Sequence, residues 1–180
     1  MTIRTAVPLP FIYARIAGFT FLAYIGAGIA GMALAEGSPV SALLALLLPF
    51  AALVLGVTLY ALTHAQGPAL ALLALTCRVA EAVAGEAALS AIFFAVGSLL
   101  FAWLLLRGRM IPTGLAWLGL LASVLLVVIL PLQEAGLFGG LASWSSSITW
   151  LVWLPMLVFE VTLALWLMVK GVNRIVSTVE

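Results

Sequence analysis

The sequence predicts an all-α, polytopic membrane bundle of six transmembrane helices with both termini on the cytoplasmic side (N-in/C-in). Three observations predict it. Of 180 residues, 66% are hydrophobic and only 7% charged, whereas soluble domains carry about 45–50% apolar and about 25% charged residues. Six apolar stretches fall in the range of roughly 17–25 residues that a helix needs to cross a bilayer. The basic residues gather in alternate connections, as the positive-inside rule requires.

The chain reads as a single transmembrane domain over 1–180. The first span covers about 11–34, interrupted only by Arg15, and ends at Glu36-Gly37-Ser38-Pro39. Ala33-Leu34-Ala35 resembles a signal-peptide cleavage site, but the apolar stretch is too long for one and Arg15 breaks it. A second span covers about 40–62 and stops at Thr63-His64-Ala65-Gln66-Gly67. Pro68 opens the third, where a missing N–H is no loss, and the helix continues to about 84.

From 68 to 106 the only break is Gly85-Glu86. A single helix of that length would rise about 58 Å, against a hydrocarbon core of about 30 Å. A reversal near Gly85 is therefore expected. The fourth span, about 87–106, stops at Arg107-Gly108-Arg109; Pro112 opens the fifth, 112–130, which ends at Leu130-Pro131. The sixth covers 148–169 and stops at Lys170-Gly171.

With the N-terminus inside, Arg4, Arg107, Arg109, Lys170 and Arg174 all face the cytoplasm, and Glu36, Glu86 and Glu134 face out. Five spans would carry Arg107 and Arg109 outside and break that pattern. The connection 132–147 is the one long loop. Trp144, Trp150 and Trp153 beside it suit an interfacial aromatic belt, or a lid over a cavity.

Composition also excludes. A net charge of +1 leaves no basic stripe for nucleic acid. The one cysteine, Cys77, rules out an intramolecular disulfide and any Cys-rich metal site. His64 is the one histidine, at the inner end of the second span, without the further ligands that zinc or haem sites use. No metal ligands and no cofactor are predicted. H-E-x-x-H, G-x-S-x-G and P-loop patterns are absent from the sequence. A nucleophilic serine would have only His64 for its base. No catalytic residue emerges, and an enzyme is the class least supported. The expected partners are the lipid bilayer and either other membrane subunits or further copies of this chain.

Four charged residues lie inside the spans: Arg15, Arg78, Glu81 and Glu160. Arg78 and Glu160 each stand about 15 Å along their helices, near mid-membrane. An unpaired charge at a helix centre costs about 2.5–3.5 kcal/mol on insertion scales. A network across the first, third and sixth helices is therefore expected, with Arg78–Glu160 as its central pair. Arg78–Glu81 within one helix is the alternative, with Arg before Glu the weaker order. Such a cluster either fixes helix register or binds a ligand, proton or ion. Arg15 also suits snorkelling to the inner headgroups. Ala23, Ala27 and Gly31 form a small-xxx-small seam for close helix approach.

Several of these stretches resemble one bacterial family. They are Ala14-Arg15-Ile16-Ala17-Gly18, Cys77-Arg78-Val79-Ala80-Glu81, Gly97-Ser98-Leu99-Leu100-Phe101 on to Arg107 and Ile111-Pro112, and the run from Glu160 through Trp166 to Asn173. The family is the one catalogued as domain of unknown function 4386, integral membrane proteins without an assigned activity. The resemblance implies six spans in a bacterial cytoplasmic membrane and family-like positions for Arg15, Arg78, Glu81 and Glu160; it implies no reaction. Two functional readings follow. One is a non-enzymatic accessory or scaffold protein within a larger membrane complex. The other is a small transporter or intramembrane binding protein using the Arg/Glu cluster. A closed network with every charge paired favours the first, and a cavity at the charges favours the second.

Overall fold

Apolar runs punctuated by proline and glycine fold into six α-helices among the described residues, and no strand. The computed structural model describes residues 9–34, 38–137 and 147–172. Arg4, Glu36, Trp144 and Arg174 lie outside them. The helices are α1 (Leu9–Ala33), α2 (Pro39–Thr63, continued by a 3-10 turn His64–Gln66), α3 (Pro68–Val83), α4 (Ala87–Arg107), α5 (Thr113–Glu134) and α6 (Ser147–Val169). Five of them are long and apolar enough to cross a membrane. This is a multi-pass membrane protein. The sequence expects a sixth span, but α3 has 16 residues and rises about 24 Å, less than a core of about 30 Å.

Local chemistry sets the ends. Ser38 caps α2, its Oγ accepting from the Ser41 N–H at 3.1 Å, and Pro39 takes the first turn. Arg109, at φ 47°, ends α4 in a left-handed cap; Met110 N–H bonds Leu105 O at 3.1 Å and Arg109 N–H bonds Leu106 O at 3.0 Å. That cap turns Met110 and Ile111 into the core. The fifth helix does not stop at Leu130-Pro131 but runs on to Glu134. Pro131 removes only one donor, and membrane helices tolerate it where the helix resumes its bonding. The turn beyond it does so, with Ala135 N–H on Pro131 O at 3.0 Å.

Each helix packs on its neighbours in chain order, and α6 closes back on α1, so the bundle is a ring. Phe21, Leu55, Phe101, Leu126, Phe159 and Leu163 fill its interior. Close approach comes from Gly18, where a Cβ would lie 2.6 Å from Ala164 O, and from Gly119, which receives the Phe159 ring. Of the anticipated seam, Ala27 is buried, while a Cβ at Gly31 would meet nothing within 4 Å. Phe19, Leu43, Phe50, Leu72, Leu121 and Leu151 are exposed around the outside, an apolar surface that contacts lipid.

The ends of the ring are chemically distinct. One end gathers Phe11, Gly171, the turn at Gln66-Gly67 and the α4–α5 connection, with Gly171 beside the Phe11 ring and Gly108 against Gln66. Arg107, Arg109 and Lys170 belong to this end. Glu86 and Glu134 belong to the opposite end.

Candidate functional site

Arg78 and Glu81 sit one turn apart on the inward face of α3, both buried. Arg78 Nη1 lies 2.7 Å from Glu81 Oε2. Glycines on both flanking helices make room for the arginine stem. A Cβ at Gly56 of α2 would lie 2.9 Å from Arg78 Cβ, and one at Gly97 of α4 would lie 3.4 Å from Arg78 Cδ. The guanidinium carbon stands 5.2 Å from the Phe94 ring and 5.8 Å from the Tyr24 ring, within cation–π range. The ion pair is short, but no N–H is directed along it. Arg78 Nε, Nη1 and Nη2 have no hydrogen-bond partner among the described residues.

Glu81 is held from two further directions. Tyr24 of α1 donates its hydroxyl to Glu81 Oε1 at 2.9 Å. Ser90 of α4 donates to the Glu81 carbonyl at 3.1 Å, closing the short α3–α4 reversal. Glu160, on α6 and 6% exposed, forms no ion pair with Arg78 within 4 Å. The two instead line a shared void of about 10 Å³, close to the least that holds one water.

The sequence-derived cluster is thus rearranged. Arg78, Glu81 and Glu160 come together, but the ion pair of Arg78 is with Glu81, one helical turn away, rather than with Glu160 across the bundle. Arg15 stands apart, exposed, its guanidinium 4.3 Å above the Phe11 ring. Six residues after the start of α1, its long side chain reaches the end of the bundle instead of its centre. His64 is also exposed, stacked on Tyr60 at 5.6 Å, with Nδ1 3.1 Å from Ala61 O. Among the described residues no group of three His, Cys, Asp or Glu is placed to hold a metal.

Open cavities flank the cluster, and Tyr24 lines both. One, of about 240 Å³, lies among α1 to α4 and reaches Glu81 past Pro49, Ala84 and Ser90. It lies beside the end of α3, which stops at Val83, two residues after Glu81. The other, of about 230 Å³, lies between α1 and α6 and reaches Glu160 past Trp150 and Trp153. Trp153 also stacks obliquely on Phe94 at 5.6 Å. Sequence reading passed over Tyr24, Ser90, Phe94 and Gly56, and took Gly97 only as part of a family-like stretch. The available signal was Tyr24 itself: a tyrosine hydroxyl far inside an apolar helix needs a polar partner.

Comparison with known families finds a likeness in this chain's C-terminal part. Residues 86–171 match the family model described as Domain of unknown function (DUF4386). The resemblance is shown over that segment. The DUF4386 match takes in α4, α5 and α6, and with them Phe94, Gly97, Trp153 and Glu160. Tyr24, Arg78 and Glu81 precede it, so the site joins residues inside and outside the DUF4386 segment. No curated protein and no solved structure matches the chain.

Proposed function

We propose that this protein is a small intramembrane binding or transport protein of the bacterial cytoplasmic membrane, with its site at Tyr24, Arg78, Glu81 and Glu160. The supporting observation is that cavities of about 240 and 230 Å³ open onto Glu81 and Glu160 on either side of Tyr24. A cluster serving only as a clamp inside an accessory subunit would gain most from being closed and fully hydrogen-bonded, because a half-satisfied buried network is worse than an apolar core. Here the guanidinium donors of Arg78 have no hydrogen-bond partner among the described residues.

The proposed orientation is N-in/C-in with six traverses. Arg107, Arg109 and Lys170 at one end of the ring and Glu86 and Glu134 at the other favour it. α3 has 16 residues, and the cavity beside its Val83 end leads to Glu81. Arg15 then snorkels to the inner headgroups.

Native mass spectrometry of protein gently extracted from its own membrane tests this reading. A protomer or homo-oligomer carrying a reproducible small adduct, lost in Arg78→Ala or in Glu160→Gln, is the expected result. Thermal unfolding of both variants checks that they remain folded. A heavy complex with defined partner chains and no adduct would make the protein an accessory subunit instead.

A further inference from the structure

We infer that the cavity between α1 and α6 binds a lipophilic organic cation, an ammonium group carried on an apolar chain. This rests on the binding reading above and names its ligand class. Glu160 lines the cavity and is 6% exposed. One guanidinium stands against two carboxylates in this cluster, and it is paired with Glu81. An unpaired carboxylate at such depth is costly unless it takes up a proton or a cation joins it, and the open cavity beside Glu160 leaves room for the cation. Arg78 does not line this cavity, so an anionic ligand would meet a carboxylate with no compensating charge.

The walls narrow the choice of cation. Tyr24, Trp150 and Trp153 contribute aromatic rings, the surfaces that hold alkylated ammonium groups. A hard metal ion would need six or more oxygen ligands, and the cavity offers one carboxylate beside a tyrosine hydroxyl already given to Glu81. Ile29, Trp150 and Leu154 line the same space and are about half exposed on the outer surface of the ring. The mouth therefore opens sideways toward lipid, which suits a ligand whose apolar chain stays in the bilayer while its cationic head reaches Glu160. Gly28 also lines the cavity, and a Cβ there would meet nothing within 4 Å. A side chain added at this position starts from open space at the cavity wall.

Scintillation-proximity binding of radiolabelled octyltrimethylammonium to the full chain in an uncharged maltoside detergent tests the proposal. The wild type is expected to bind saturably, with displacement by unlabelled cation and none by octyl sulfonate. Glu160→Gln should weaken binding by about tenfold or more, as loss of a desolvated charge contact does. Gly28→Leu should block it while unfolding at or above the wild-type temperature. An aminolipid that copurifies with the wild type and is lost from Glu160→Gln would identify the bilayer as the source of the cation. Probe binding without such a lipid would identify a free amphiphile. Wild-type binding in both variants, equal displacement by octyl sulfonate, or no saturable binding at all would overturn the inference. Saturable octyl sulfonate binding abolished by Arg78→Ala would overturn the ligand class and leave the binding reading standing. Probe failure together with an adduct-free complex of partner chains would remove both.

Discussion

The hydroxyl of Tyr24 donates to Glu81 Oε1 at 2.9 Å, joining α1 to α3 across 57 positions of sequence. Tyr24 is also the wall shared by the cavities that reach Glu81 and Glu160. One side chain thus borders both openings, and its hydroxyl is committed to one of the carboxylates.

Tyr24→Phe keeps the ring over Arg78 and removes the donor. Glu81 Oε1 then loses a bond worth about 1.5–3 kcal/mol, the range for hydrogen bonds to charged groups. Unfolding in detergent should show a destabilisation in that range, and Tyr13→Phe, on the same helix, should show little. Equal stability of Tyr24→Phe and wild type would mean that the bond contributes nothing in the folded protein.

The ion pair makes a second prediction. Removing one partner of a buried pair costs about 3–5 kcal/mol because the other charge is stranded. Arg78→Met and Glu81→Gln should each destabilise strongly, and the double variant should recover part of the loss. A double-mutant cycle should therefore give a larger coupling for Arg78 with Glu81 than for Arg78 with Glu160. The reverse order, measured by unfolding free energies, would restore the cross-bundle pairing that depth along the helices suggests.

That contrast marks how far the sequence was legible. Helix starts at Pro39 and Pro68 and the reversal at Gly85 could be read because proline, glycine and bilayer thickness act locally. The burial of Arg78, Glu81 and Glu160 was legible for the same reason, since apolar neighbours surround each in sequence. Pairing was not. Depth along an axis says which charges share a level, but not which way each helix is turned, and rotation about α3 decides between Glu81 and Glu160. Arg15 was readable either as a member of the cluster or as a snorkelling residue, and rotation again decides, because its helical face is exposed. The cavities were illegible too, since each arises from how separate helices meet, α1 to α4 for one and α1 with α6 for the other.

Glycine substitutions separate packing from propensity. A Cβ at Gly119 would lie 2.4 Å from the Phe159 ring, so Gly119→Ala must displace a buried aromatic and should cost about 1–3 kcal/mol, as overpacking does. Gly26 has nothing within 4 Å of its Cβ position. There Gly26→Ala should be neutral or stabilise by up to about 1 kcal/mol through helix propensity. Parallel thermal unfolding of the two variants checks the opposite signs.

The number of traverses turns on α3, the one helix below spanning length. Ala65 lies in the turn before it and Ala84 caps its end, lining the cavity that reaches Glu81. In a Cys77→Ser background, Ala65→Cys and Ala84→Cys report on opposite ends of that helix. With six traverses and cytoplasmic termini, a membrane-impermeant maleimide added outside intact cells should label Ala84→Cys and spare Ala65→Cys, and the preference should invert in inside-out vesicles. Cys77 itself, buried against α4 where a Cβ at Gly97 would lie 3.2 Å from its own Cβ, should resist the reagent until the protein is unfolded. Labelling of both positions from one side would mean that α3 enters the bilayer and returns. The charge clusters at the two ends of the ring would then have to be assigned to membrane faces afresh.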